Sequence, residues 1–175
     1  INLRTIHNVK DPDLSINLFG QKLSVPILAA PITGMETNLG GGMDEKEYAL
    51  AVLNGCIGMG TIGMVGDGAS PNKYLIGLEV IKKLGGFGIP IFKPRAFNLD
   101  IIKRFKAAED AGAIAVGIDI DAISFKTMAL KSQAVGPKSI EELRDLKSHL
   151  SVPFILKGIM NAKSALAAIE AGADA

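Results

Sequence analysis

Val152-Pro153-Phe154-Ile155 repeats in kind two earlier stretches, Val25-Pro26-Ile27-Leu28 and Ile89-Pro90-Ile91-Phe92. In each, a proline stands near the start, where a strand tolerates the missing N–H, and β-branched, aliphatic or aromatic residues follow. They read as strands. Two further runs, Cys56 to Thr61 and Ala113 to Ile120, are apolar without polar alternation. That is the pattern of strands covered on both faces of a parallel sheet.

The segments between these runs carry helical signals. Leu53-Asn54-Gly55, Ala111-Gly112 and Ala171-Gly172 each place glycine where a helix takes a left-handed C-terminal residue. Asp44 with Glu47, and Ser139 with Glu142, have capping-box spacing at helix starts. The expected helices are 44–54, 72–84, 98–111, 139–149 and 161–171. Five strand-then-helix units imply parallel strands joined by right-handed crossovers, in either an open doubly wound sheet or a closed barrel.

An open sheet of the dinucleotide-binding type carries its glycine-rich phosphate turn after the first strand, yet Ala30-Pro31-Ile32-Thr33-Gly34-Met35 contains no GxGxxG. The expectation is therefore a (β/α)8 TIM barrel of which about five units are present, an incomplete single domain over 25–175. Residues 1–24 precede it, with Leu14 to Leu23 forming a hairpin that turns near Phe19-Gly20-Gln21 and caps the barrel from below. The absence of an initiator Met and the ending at Ala173-Asp174-Ala175 suggest a fragment that stops where strand six would begin.

Composition narrows the function. The 175 residues are 48% hydrophobic and 21% charged, with formal net charge +1. Near-neutral charge without a Lys/Arg run argues against a nucleic-acid partner, and no apolar stretch approaches the roughly 20 residues of a membrane span. A cytoplasmic protein is expected. The single cysteine, Cys56, reads as a buried structural thiol, and no Cys/His cluster has metal-ligand spacing.

Barrel enzymes place chemistry at the C-terminal ends of strands. Polar residues interrupt the apolar runs there: Pro31, Thr33 and Gly34 after strand one, Thr61 after strand two, Lys93 and Arg95 after strand three, Asp119 and Asp121 after strand four, and Lys157 after strand five. Charges so close to apolar runs are costly unless paired or used. Lys157 reads either as a lysine snorkelling to solvent or as a cation held against an electron-rich ring. Alternation puts Asp119 and Asp121 on one side and Lys93 and Arg95 on one side, so a salt-bridge network would also explain all four. Thr61 caps the next turn or touches a ligand. The glycine loops at 40–42 and 66–69 let backbone approach a ligand or simply turn. His7 and His149 are assigned no role.

Two segments resemble a known family. Phe19-Gly20-Gln21-Lys22-Leu23-Ser24-Val25-Pro26-Ile27-Leu28-Ala29-Ala30-Pro31 is similar to the approach to the first barrel strand of the flavin mononucleotide (FMN)-dependent α-hydroxy-acid oxidases and dehydrogenases, the glycolate oxidase and lactate oxidase group. Pro153 to Ile159, followed by Ala168-Ile169-Glu170-Ala171-Gly172-Ala173-Asp174, resembles that family's fifth strand and helix.

The resemblance implies that Ala30, Pro31, Ile32 and Thr33 line the flavin and that Thr61 replaces a family serine near the ring. Lys157 then matches the lysine beside flavin N1 and O2, and Asp121 the aspartate that orients the catalytic histidine. Asp119 falls where the family has threonine, and Lys93 and Asp119 join the candidate cofactor contacts. The resemblance further implies hydride transfer from a small 2-hydroxy acid to FMN, in a homo-oligomer such as a tetramer. The sequence departs from the family at Phe92-Lys93-Pro94-Arg95, where the family has Gln-x-Tyr, and in the loop Ala122 to Lys138, which lacks a match for a substrate-side arginine. The family histidine and phosphate loops belong beyond Ala175, so the segment alone is expected to be inactive. A type 2 isopentenyl-diphosphate isomerase and a non-catalytic flavin-binding scaffold are the alternatives.

Overall fold

The computed structural model describes Ile6 and residues 8–175; His7 lies outside the described residues. A hairpin opens the fold, β1 (Ile16–Leu18) pairing antiparallel with β2 (Gln21–Leu23), with Phe19 and Gly20 both at positive φ in the turn. After the short α1 (Met35–Asn38), strands and helices alternate: α2 (Glu45–Gly58), β3 (Met64–Gly66), α3 (Lys73–Lys83), β4 (Ile89–Phe92), α4 (Asn98–Asp110) and β5 (Val116–Asp119). The chain then makes an excursion through a 3-10 turn at Ala122–Ser124 and α5 (Lys126–Leu130). It closes with α6 (Ile140–Ser148), β6 (Phe154–Lys157) and α7 (Ala162–Glu170).

Strands β3, β4, β5 and β6 pair in that order, all parallel. A doubly wound sheet reverses its strand order at a switch point, whereas sequence order without reversal is the wall of a (β/α)8 barrel. The wall continues at both edges. Ala29 bridges Gly63 in parallel, and Asp174 and Ala175 donate to the Phe154 carbonyl alongside β6.

Alternation divides the core in two. Phe92, Val116, Ile118, Phe154 and Leu156 face the helices with Phe105 and Leu146. Their packing includes an aromatic row, Tyr74, Phe92, Phe105 and Phe154, with successive centroids 6.0, 6.1 and 5.8 Å apart. Ile89, Ile91, Ala115 and Ile155 face the other way, where Ile62 and the hairpin residue Leu23 close the interior from the strands' N-terminal side.

Both capping boxes form, at Asp44/Glu47 and Ser139/Glu142, and Gly112 and Gly172 take the left-handed conformation after their helices. Two strand expectations are corrected. Cys56 to Gly58 belong to helix α2, because Ala49, Leu53 and Cys56 continue one buried face at helical spacing; Gly55 is an interior helix residue and the strand is Met64–Gly66. The stretch Val25 to Leu28 forms no strand: pairing beside β3 is limited to the bridge at Ala29, and Ile27 is 65% exposed.

Gly85 and Gly86 both have positive φ ahead of β4, yet differ in space. A Cβ on Gly85 meets nothing, whereas one on Gly86 overlaps the Gly112 carbonyl that precedes β5. Gly85→Ala is therefore expected to cost about 1–2 kcal/mol, the left-handed penalty alone. Gly86→Ala adds an overlap with backbone and should cost a further 1–3 kcal/mol or so. Urea denaturation of the two variants measures the difference.

Candidate active site

Asp119 ends β5 opposite Lys157 at the end of β6, and both continue the inward-facing alternation of Ala115 and Ile155. The Lys157 ammonium donates to Asp119 Oδ1 at 2.6 Å, and Lys93, just past β4, donates to Oδ2 at 2.6 Å. One carboxylate thus holds two cations. Lys93 Nζ also lies 4.5 Å from the centroid of Phe125, a cation–π contact supplied by the excursion after β5. Burial opposes ionisation of Asp119, but the hydrogen bonds from Lys157 and Lys93 outweigh it and hold its carboxyl below the ordinary range.

Asp121 lies beyond the strand, in helical backbone conformation and exposed. Strand alternation therefore does not place it beside Asp119 as the sequence suggests; a turn does. Its hydrogen bond to Asp119, with some burial, pushes its pKa up. Gly158, at φ +101, has no side chain to intervene, and a Cβ there would stand 2.7 Å from Asp121 Cγ.

The Arg95 side chain does not share the partner of the Lys93 ammonium. The Arg95 amide donates back to the Lys93 carbonyl at 2.8 Å, a tight turn that sends the two side chains apart. Arg95 Nη2 donates to both oxygens of Asp67, at 2.8 and 2.7 Å, and Nη1 to Gln133 Oε1 at 2.6 Å. Asp67 is fully buried, accepts the Lys93 amide at 3.2 Å, and stands 3.8 Å from Arg104 Nε. Asp67, Arg104 and Gln133 escaped the sequence reading. Asp67 sits in a glycine-rich turn and Arg104 in a helix, where charged residues ordinarily face solvent; the available signal was an aspartate directly after a strand.

Thr61 is corrected. It precedes β3 and its hydroxyl donates to the Ile27 carbonyl, so it lies at the end of the strand away from the rim. The residues that do leave β3 at the rim are Gly66 and Asp67. Ala30 to Thr33 cross this rim, with Ala30 and Ile32 exposed. They lie so close over β3 that a Cβ on Gly66 would meet Thr33 Cγ2 at 2.5 Å and the Pro31 carbonyl at 2.8 Å. Glu45, held by Lys73 at 2.9 Å, accepts the Gly34 and Met35 amides and fixes the far end of the segment.

The FMN-dependent dehydrogenase family model matches residues 1–141 and 124–175. The chain belongs to that family. It is 25% identical to 2-hydroxyacid oxidase 1 of Mus musculus, over 98% of this chain and 55% of the relative. A solved structure of mandelate oxidase superposes with TM-score 0.70 at 19% identity, over 97% of this chain and 53% of its own. Mandelate oxidase with 3,3-difluoro-2-hydroxy-3-phenylpropionic acid gives 0.68 at 22%. The chain spans about half the length of the relatives it matches, and its fold is the corresponding arc of their barrel.

FMN is the family's cofactor, and the rim residues fit its ring. Lys157, with a side chain 39% exposed, presents a fixed cation, and Ala30 and Ile32 lie exposed on the same rim, where the Ile32 amide turns back onto the Ala30 carbonyl at 3.0 Å. Lys93 and Lys157 both bind Asp119, with Asp121 beside it, and Lys157 is the more exposed of the two cations, placed to face a ring that becomes anionic on reduction. Among the described residues, no group of three or more His, Cys, Asp or Glu is placed to hold a metal, and no helix is long and apolar enough to cross a membrane.

Asp67→Ala leaves two buried guanidiniums without their carboxylate and is expected to cost about 3–5 kcal/mol in urea denaturation. Asp119 has its folded pKa lowered, so its stabilisation is present above the unfolded value of about 3.9 and is lost as pH falls through the folded one. The stability gap between wild type and Asp119→Asn should therefore narrow as pH is lowered from about 5 towards 3, which acid titration of the urea midpoint measures.

Proposed function

We propose that this chain forms the flavin-ring side of an FMN-dependent oxidoreductase that takes a hydride from the hydroxyl-bearing carbon of a small 2-hydroxy acid. The observation that carries the reading is the pair of ammonium groups on Asp119 at the strand-end rim, beside the backbone of Ala30 to Thr33. FMN, when bound, supplies the two-electron acceptor. Ala30, Pro31, Ile32 and Thr33 would hold the ring through their backbone, and Lys157 would supply a cation to it.

Asp119 keeps the Lys157 ammonium at a fixed position, so no reorganisation is needed when charge develops. Lys93 is the second cation on Asp119 and offsets its charge, so Asp119 fixes Lys157 without being neutralised by it alone. Asp121 serves the proton side. Its exposed carboxyl rests against Gly158 and would orient the nitrogen of a base, the role implied by family resemblance.

The test is anaerobic addition of glycolate, lactate and longer 2-hydroxy acids to the FMN-loaded full-length protein that carries this chain, following the visible flavin band. Bleaching by one of them supports the proposal; a band that persists with every acid overturns it. Lys157→Met is expected to slow flavin reduction roughly 10²–10³-fold, the cost of removing one preorganised donor, and Lys157→Arg to recover part of that. Stopped-flow reduction measures both.

A further inference from the structure

The sequence places Lys93 among the candidate cofactor contacts, yet its ammonium is spent inside the protein. It donates to Asp119 Oδ2 at 2.6 Å, lies 4.5 Å from the Phe125 ring centroid, and belongs to a side chain only 14% exposed. Lys157, the other lysine on this carboxylate, has a side chain 39% exposed. One ammonium is enclosed and the other is open to the rim.

Three segments build the enclosure. The Lys93 amide donates to the buried Asp67 carboxylate after β3, and the Lys93 carbonyl accepts the Arg95 amide, so the backbone is held on both sides of the residue. Phe125, which directly precedes α5, lays its ring over the ammonium and keeps water from that side.

The consequence for Lys157 follows from the carboxylate between them. The Asp119 side chain is 11% exposed and offers one oxygen to each ammonium. Without Lys93, Oδ2 would lose a charged donor in a nearly closed site, which is costly. Lys157 is a compact charge on a flexible four-carbon stem and could swing across to serve both oxygens. Its ammonium would then be drawn inward, and its field would be cancelled by a carboxylate that it alone compensates.

We propose that Lys93 is a positioning residue, which acts through Asp119 to keep the Lys157 ammonium turned to the flavin ring and thereby raises the reduction potential of bound FMN. The inference rests on the flavin reading above. It gives Lys93 no contact with the ring, and it gives Phe125 a part in the same arrangement through Lys93 alone.

The midpoint potential of FMN in the full-length protein that carries this chain, measured by anaerobic reduction against a reference dye, tests it. Lys93→Met is expected to lower the preference for reduced over oxidised flavin about tenfold, or about 30 mV for a two-electron couple. Phe125→Ala, which opens Lys93 to water, should lower it about threefold. In an Asp119→Asn background, Lys93→Met should change the ratio less than about twofold, because the intermediary is gone. A potential that falls with Lys157→Met but is unmoved by Lys93→Met overturns the proposal and leaves the flavin reading standing. The full effect of Lys93→Met persisting in the Asp119→Asn background also overturns it, since Lys93 would then act on the ring directly. Protein that takes up no FMN, or whose potential ignores Lys157→Met, overturns the flavin reading and the proposal together. If Lys93→Met does not fold, Phe125→Ala decides, and an unchanged potential in that variant overturns the proposal.

Discussion

Strands of three or four residues, covered on both faces, leave a polar side chain only one place to go. In β4 and β5 every residue is buried, and in β6 only the terminal Lys157 is partly open. A charge anywhere else in these strands would face either the aromatic layer under the helices or the aliphatic interior above the hairpin, without a partner. The parallel sheet therefore sorts its chemistry by position: apolar residues along the strands, ionic residues at the C-terminal ends. The rim is charged because the wall cannot be.

At the rim, water is partly excluded and each charge has to be compensated by neighbours. Two arrangements do this. Asp119 sits between two ammonium groups that remain partly accessible and can act on something outside the protein. Asp67 sits between two guanidiniums, has no accessible side-chain surface, and is tied to the backbone of Lys93 and Gly68. The first arrangement is suited to binding an electron-rich ring. The second fixes the loops that carry the first, because the Lys93 amide that Asp67 accepts belongs to the residue whose ammonium reaches Asp119.

Much of this was legible in the sequence, for reasons that can be stated residue by residue. Capping boxes and helix-ending glycines act within four residues, so the starts of α2 and α6 and the ends of α4 and α7 could be placed by spacing alone. The run Cys56 to Thr61 could not, because a short apolar stretch suits a buried strand as well as a helix face, and the choice was made by packing of Leu53 and Cys56 against the sheet. Moving that strand to Met64 carried Thr61 to the wrong end of the barrel and left Asp67 unnoticed. Lys93, Asp119 and Lys157 were found at the rim because each directly follows or ends an apolar run. Their pairing depends on register between β5 and β6, which no local spacing encodes.

Lys93 and Arg95 show how far two residues of like charge and identical parity can diverge. A strand continuing past Phe92 would have sent both into the interior and asked Asp119 to balance three cations. Pro94 removes one ladder donor, and the Arg95 amide turns back onto the Lys93 carbonyl instead of extending the sheet. The turn releases Arg95 towards Asp67 and lets residues 94–96 pair with 134–136 of the excursion. One tight turn thereby splits the cations into two groups and recruits Phe125 to one and Gln133 to the other. The excursion between β5 and α6 is consequently shared: its first half, through Phe125, completes the surroundings of Lys93, and its second half, through Gln133 and Val135, holds Arg95.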